Sequence, residues 1–188
     1  MAVDRGRREA ACREVVASIG EDPARDGLQE TPARWARWWT EFMGGDTGTR
    51  DTTFQTIRAD QMVVVSGMRV WSLCEHHLLP FWADITIGVI TGDRILGLSK
   101  FGRIARHAAG KLQVQERLVE DIADQVSAVL GSDDVAVLAV GEHLCMTMRG
   151  ARMPARMTTS INRGLFRDDA PMRAEFLELA RRSSGGPG

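Results

Sequence analysis

Apolar residues recur with a helical period near the start of the chain. In residues 5–19 they form a rough stripe typical of a helix, in which Cys12 is expected to be a packed thiol. A second helix is predicted to start at Thr31, with this threonine as N-cap and Pro32 as the first helical residue. Its apolar face carries aromatic side chains at i, i+3, i+4 and i+7, namely Trp35, Trp38, Trp39 and Phe42. We expect this face to pack in a core or against another subunit, and the helix to end at Gly44-Gly45.

After a polar segment over residues 46–56, which predicts a loop, the pattern becomes typical of strands. Strands are predicted at residues 62–65, 68–71, 83–89 and 95–98. Residues 83–89 alternate between apolar and polar side chains, which indicates a half-buried strand. Pro80 precedes that strand and favours an irregular or edge position there, because proline cannot donate to a sheet.

Two consecutive helices are predicted next. One has Ser99 as its N-cap and runs to Ala109, and the other covers residues 114–130 with a regular apolar stripe. Later strands are predicted at residues 135–140, 146–149 and 157–161, and a last helix at residues 173–182. This order of elements predicts an α+β fold with an antiparallel sheet, since strands and helices do not alternate as in parallel sheets.

Composition and charge narrow the class of protein. The chain has 188 residues, 44% of them hydrophobic and 26% charged, which suits one globular domain with a short appendage. A net charge of -1 leaves no basic excess for nucleic acid. No apolar segment approaches the roughly 20 residues of a membrane-spanning helix, and no signal peptide is evident. We expect a cytoplasmic protein with an N-terminal helical segment (1–50), a main domain (51–182) and a flexible tail (183–188).

Candidate chemistry is concentrated in the segment Cys74-Glu75-His76-His77. In a reducing compartment, cysteines beside histidines indicate metal binding or catalysis rather than disulfides. Cys74 and His77 have the C-x-x-H spacing that lets one turn supply two ligands to a tetrahedral ion. His143 and Cys145, two residues apart, are expected to project from the same face of a strand. Cys74, His77 and Cys145 would form a three-ligand set with one open position, which is typical of catalytic zinc.

The two remaining histidines of these segments, His76 and His143, are candidate proton-transfer groups beside such an ion. One alternative is that they are ordinary core or surface histidines. Another is a structural zinc site, in which His76 or Glu75 supplies a fourth ligand.

Two helix starts carry further candidate site residues. Lys100 and Arg103 flank the start of one helix, where an anion is favoured, although incidental surface charges would give the same pattern. Gln115 and Glu116 open the next helix, and a carboxylate there can accept two hydrogen bonds from an edge such as that of guanine. The alternative is an ordinary polar first turn of a helix.

These motifs occur together, and in this order, in one known family. The matching segments are Thr31-Pro32-x-Arg34, Ser72-Leu73-Cys74-Glu75-His76-His77, Gly97-Leu98-Ser99-Lys100 with Arg103, Gln113-Val114-Gln115-Glu116-Arg117-Leu118, and His143-x-Cys145-Met146 with Arg149-Gly150. Over about residues 20–180 the chain resembles the GTP cyclohydrolase I family. The resemblance implies the tunnelling fold, in which an antiparallel four-stranded sheet carries two helices on one side. It also implies a homo-oligomer, usually a decamer, with active sites between subunits.

The resemblance further implies a reaction and the residues that perform it. Zn²⁺ on Cys74, His77 and Cys145 would activate water for attack at C8 of GTP, with release of formate and formation of 7,8-dihydroneopterin triphosphate. His143 would protonate the ring nitrogen, and His76 would assist proton transfer. The implied substrate contacts are Gln115 and Glu116 to the guanine edge, Ser99 near the ribose, and Lys100, Arg103, Arg149 and a neighbouring subunit's Arg34 to the triphosphate.

The sequence departs from the family pattern in residues 151–160. This segment lacks the usual acidic and threonine-rich character and is one residue shorter. The family also often has Tyr-x-Pro where this chain has Val89-Ile90-Thr91. One alternative is therefore a specialised paralogue with the same ring opening and a different end product. A second is a non-catalytic purine- or pterin-binding protein with structural zinc, and a nitrile reductase of the same fold is disfavoured by the C-x-x-H pair.

Overall fold

The computed structural model describes residues 4–44 and 48–184. The first of these ranges forms one compact unit and the second forms another. Positions 45–47 of the predicted helix end and loop, and positions 185–188 of the predicted tail, lie outside the described residues. The domain boundaries placed at residues 50 and 182 stay predictions.

The first unit is a pair of helices, α1 (Arg5–Ser18) and α2 (Thr31–Gly44). Both predicted helices are confirmed, and Cys12 is buried as expected. The aromatic side chains of α2 contact one another, as in the Trp38–Phe42 stack at 5.7 Å between ring centroids. Thr31 is not the N-cap, because it is already helical and its hydroxyl donates to the carbonyl of Gly27.

The main strands and helices of the second unit follow the predicted order, and four short elements that the sequence did not predict lie among them. The strands are β1 (Thr53–Gln55), β2 (Met62–Cys74), β3 (Pro80–Ile90), β4 (Arg94–Leu96), β5 (Leu112–Gln113), β6 (Val135–His143) and β7 (Met157–Asn162). The helices are α3 (Leu98–Ala109), α4 (Gln115–Leu130), α5 (Leu144–Thr147), α6 (Leu165–Asp168) and α7 (Ala170–Ser184). The four long strands are antiparallel in the order β2-β3-β6-β7, as expected for the tunnelling fold, and β5 adds a two-residue parallel edge to β2.

The main core lies between the sheet and the helices α3 and α4. The odd-numbered residues of β3, from Phe81 to Val89, face this core and are fully buried. On the opposite face Gly88 lies directly beneath Phe176 of α7, so close that a Cβ atom at Gly88 would be 2.6 Å from that ring. The second half of β3 is therefore buried on both faces rather than half-buried as predicted.

Four predictions about element ends and loops are also wrong. Pro80 is the first residue of the central strand β3, a position where its missing N–H is tolerated. The N-cap of α3 is Gly97, and Ser99 is its second residue. The predicted loop contains β1, which pairs with β4. Residues 146–149 do not form a strand, because the chain enters the short helix α5.

Within the described ranges, no helix has both the length and the apolar character needed to span a membrane.

Candidate metal centre and active site

Three predicted ligands come together in the structure. The ligand atoms of Cys74, His77 and Cys145 all lie within 4.8 Å of one another, and Cys74 Sγ is 4.0 Å from His77 Nδ1. Tetrahedral zinc with bonds of about 2.0–2.3 Å separates its ligand atoms by roughly 3.3–3.8 Å, so small side-chain rotations would complete the set. Two thiols and an imidazole are also the donor types that zinc prefers. Among the residues that the structure describes, no other group of this kind occurs.

A tight turn between β2 and β3 places Cys74 and His77 together. The carbonyl of Cys74 accepts from the N–H groups of His77 at 3.4 Å and Leu78 at 2.8 Å. The N–H of Cys74 donates to the carbonyl of Leu79 at 2.9 Å, which closes the turn. Leu78 has a φ of 55°, an uncommon conformation for a residue with a branched side chain. The turn therefore holds a locally unfavourable backbone while it aligns two ligand side chains.

Glu75 fixes this turn to the helix α4. Its carboxylate accepts two parallel hydrogen bonds from Arg117, at 2.8 and 3.0 Å, and its main-chain N–H donates to the carbonyl of Gln113 at 3.0 Å. Hydrogen bonding to Arg117 lowers the pKa of the Glu75 carboxyl. Both carboxylate oxygens are engaged by Arg117, so a fourth ligand from Glu75 would compete with this ion pair. Sequence reasoning missed this role of Arg117, and the only signal for it was its place in the Gln-Val-Gln-Glu-Arg segment.

Cys145 reaches the site by a route that the sequence did not predict. The strand β6 ends at His143, and the helix α5 begins at Leu144, so His143 and Cys145 do not share one strand face. The turn of α5 nevertheless brings the Cys145 thiol against that of Cys74. Burial, followed by this neighbouring thiol, raises the pKa of Cys145. A bound cation would reverse this effect, because metal coordination favours thiolates.

The two candidate proton-transfer groups have different surroundings. His143 is partly buried, and its ring stacks on Phe81 with centroids 4.4 Å apart and planes 4° from parallel. Burial lowers the pKa of His143, and the negative charge of Glu116 partly opposes this shift. His76 is exposed, and its ring centroid lies 6.3 Å from that of His77. The structure therefore places one constrained imidazole and one exposed imidazole near the three-ligand set.

Gln115 and Glu116 face different environments at the start of α4. Gln115 has no exposed surface, and its amide oxygen is 3.1 Å from Nε2 of His143. Its amide nitrogen donates to carbonyl groups of β6 and β7. Glu116 is exposed in the first turn of the helix. The guanine contacts expected of both residues stay predictions, and the buried side chain of Gln115 is already fully hydrogen bonded within the protein.

The residues predicted to contact the ribose and the phosphates are spread over several elements. Ser99 and Arg103 line a groove of about 360 Å³ beside β2, together with Arg69 and Arg106. The ammonium group of Lys100 donates to the hydroxyl of Thr49 at 2.9 Å.

The other two predicted phosphate ligands belong to other parts of the chain. Arg149 is exposed just beyond α5. Arg34, in the first unit, donates to the hydroxyl of Thr31 at 3.0 Å and to the carbonyl of Gly27. The phosphate contacts expected of both residues stay predictions.

Comparison with known proteins gives consistent results. The family described as GTP cyclohydrolase I matches residues 8–181. A GTP cyclohydrolase 1 from Hyperthermus butylicus is 42% identical, with coverage of 95% of this chain and 92% of that protein. The GTP cyclohydrolase 1 of Aquifex aeolicus is 43% identical over 96% of this chain and 99% of that protein. That of Deinococcus radiodurans is 44% identical over 92% of this chain and 82% of that protein.

Among solved structures, the match to an archaeosine synthase QueF-Like in the apo form covers 55% of this chain and 95% of that protein's chain. Its sequence identity of 13% and TM-score of 0.41 are too low to support an inference. The family match instead spans nearly the whole chain and includes every residue of the three-ligand set. On this evidence, the chain belongs to the GTP cyclohydrolase I family.

Proposed function

We propose that this protein is a zinc-dependent GTP cyclohydrolase, which opens the imidazole ring of GTP at C8, releases formate and forms 7,8-dihydroneopterin triphosphate. The observation that carries the proposal is the family match over residues 8–181, which includes a Cys-His-Cys group able to hold a metal ion. The relatives that match most of this chain are named for the same activity.

Zn²⁺ is the proposed cofactor, with Cys74, His77 and Cys145 as its ligands. Three protein ligands leave one coordination position open, as in catalytic rather than structural sites. When bound, zinc supplies Lewis acidity and lowers the pKa of a coordinated water. The reducing cytoplasm, which is the proposed location, keeps the two thiols available as ligands.

His143 and His76 are the proposed proton-transfer groups of ring opening. The lowered pKa of His143 keeps its ring neutral near pH 7, so that it can take up a proton before it returns one to a ring nitrogen. Stacking on Phe81 restricts the orientation of this ring. His76 is exposed and can exchange protons with solvent.

Glu116 is the proposed ligand of the guanine edge. Its exposed carboxylate can accept two parallel N–H bonds. Its negative charge partly opposes the lowering of the His143 pKa, which supports a role beside that imidazole. Any guanine contact from Gln115 would come from its main-chain N–H, because the first N–H groups of a helix have no intrahelical acceptor.

The proposed triphosphate ligands are cationic side chains from three parts of the chain, namely Lys100 and Arg103 of α3, Arg149 beyond α5, and Arg34 of a neighbouring subunit. Ser99 lies in the same groove as Arg103 and is proposed to contact the ribose. A guanidinium group binds phosphate oxygens through two parallel hydrogen bonds, and an ammonium group binds them as a compact positive charge. An active site completed by a neighbouring subunit requires a homo-oligomer, which we propose to be a decamer.

A specialised paralogue that opens the ring but makes a different product is a second candidate. The observation in its favour is the position of residues 151–160, where the chain departs from the family pattern. Met157 and Thr159 in this segment contact the Gln115 amide, which in turn contacts His143. Substitutions at these two positions would therefore reach the proposed catalytic His143 through Gln115.

Product analysis separates these functions. Zinc-loaded protein is incubated with GTP, and the products are identified by mass spectrometry alongside a formate assay. Formate with 7,8-dihydroneopterin triphosphate supports the proposal. Ring opening without that pterin supports the paralogue, and intact GTP at full zinc occupancy excludes both.

A further inference from the structure

The orientation of the buried Gln115 side chain is fixed by its neighbours. Its amide nitrogen donates to the carbonyl oxygen of Ala139 at 3.2 Å and to that of Met157 at 3.0 Å. It also lies 3.1 Å from the hydroxyl of Thr159. Carbonyl oxygens only accept hydrogen bonds, so the NH₂ group must face these strands and the amide oxygen must face the opposite way.

The amide oxygen of Gln115 then determines the state of the His143 ring. It lies 3.1 Å from Nε2 of His143. Because an amide oxygen can only accept, Nε2 must carry the hydrogen, and in the neutral ring Nδ1 has none. The stack on Phe81 fixes the plane of the same ring.

The close approach of these two side chains depends on Gly141. A Cβ atom at this position would clash with the main-chain oxygen of Trp82, and would lie 2.8 Å from the amide oxygen of Gln115 and 3.1 Å from the Cβ of Ala83. A larger residue would therefore have to displace both the main chain of β3 and the amide. Residues from β6, β7 and α4 therefore combine to hold one hydrogen bond to His143.

Building on the proposed function, we propose that Gln115 is a positioning residue that holds His143 with its Nε2–H directed into the protein, so that Nδ1 carries the proton exchanged with the substrate. The side chain acts through His143 rather than on the guanine, since it has no exposed surface and its polar atoms are engaged. Loss of this contact would leave the ring free to take the other tautomer or to rotate.

The test compares two glutamine-to-methionine substitutions on α4. Gln115→Met removes the amide at similar length, and Gln125→Met is the matched control, because the amide of Gln125 donates to the carbonyl of Asp121 and does not contact His143. For Gln115→Met we expect kcat for formate release to fall about 10- to 100-fold, with KM for GTP within about twofold of wild type and unchanged zinc content. Gln125→Met should match wild type.

A KM increase of about tenfold or more with unchanged kcat would mean that Gln115 contacts the substrate, and would overturn the proposal. So would a wild-type kcat in Gln115→Met. If that variant does not fold, Gln115→Asn serves instead, because its shorter amide cannot reach both the strands and His143. It should show the same loss of kcat.

A crystal structure of the folded variant decides the question without an activity assay. We expect the His143 ring to leave its stack on Phe81 or to occupy two orientations. An unmoved ring would overturn the proposal. Failure of the wild-type protein to release formate would instead count against the proposed function alone.

Discussion

The carboxylate of Glu75 accepts two hydrogen bonds from the guanidinium of Arg117, which joins the turn carrying Cys74 and His77 to the helix α4. This arrangement explains how a short turn keeps two candidate metal ligands in a fixed position relative to each other. It also makes stability depend on the ionisation of one carboxyl group.

Arg117→Met should lower the melting temperature of the metal-free protein near pH 7 by about 1–3 °C, because it removes the partner of Glu75. The bonded carboxyl has a lowered pKa, so its contribution is complete above the ordinary value of 4.5 and is lost as pH falls through the lower folded value. The difference between variant and wild type should therefore shrink as the pH falls below 4.5 towards the folded value. Thermal melts from pH 7 to pH 3.5 measure it, and a difference that stays constant would contradict the account.

Cys145→Ala should lose the metal. Removal of one of three protein ligands leaves too few donors for a stable site, so bound zinc should fall at least about tenfold. Cys12→Ala is the matched control, because Cys12 does not belong to the three-ligand group. Metal analysis of both purified proteins gives the answer, and stoichiometric zinc in Cys145→Ala would show that the ligand set is wrong.

His143→Ala should keep zinc and lose ring opening. Removal of a proton-transfer group typically slows a reaction by about 10²- to 10⁴-fold, while the three ligand side chains remain. His107→Ala, at an exposed position in the last turn of α3, should retain wild-type activity. Formate release and zinc content are measured on the same samples. Metal loss in His143→Ala would mean that this imidazole is a ligand.

Gly88→Ala should destabilise the fold. The added methyl group would meet the ring of Phe176 at 2.6 Å, and overpacking of this kind typically costs about 1–3 kcal/mol. Without that contact the substitution would be stabilising, because glycine weakens a strand. Gly92→Ala, with no atom within 4 Å of the new methyl group, is the control. Urea unfolding measures both, and greater stability of Gly88→Ala would refute the packing of α7 on β3.

The sequence predicted those elements whose signal is local. The alternation over residues 83–89 gave the core-facing side of β3, and the apolar stripe over 114–130 gave α4, because each pattern reflects burial on one face. Burial of the opposite face of β3 depends on Phe176, which is distant in sequence, and no local pattern reports it.

The candidate site was predicted in part for the same reason. The spacing of Cys74 and His77 reflects a single turn, whereas the approach of Cys145 depends on α5. Residues 146–149 alternate as a strand would, yet the Met148 N–H donates to the Leu144 carbonyl in a helical turn. Arg117 and Gln115 contact residues of other elements, Glu75 and His143. The residue types and spacing in the Gln-Val-Gln-Glu-Arg segment therefore could not distinguish a substrate contact from a contact within the protein.

The most direct measurement is formate released from GTP per protomer as a function of zinc bound per protomer. Metal-free protein is prepared with a chelator and reloaded in steps. The account predicts no release at zero occupancy and a rise in proportion to bound zinc, up to one ion per protomer. Undiminished formate release from metal-free protein would contradict the central claim that the Cys74, His77 and Cys145 site carries the reaction.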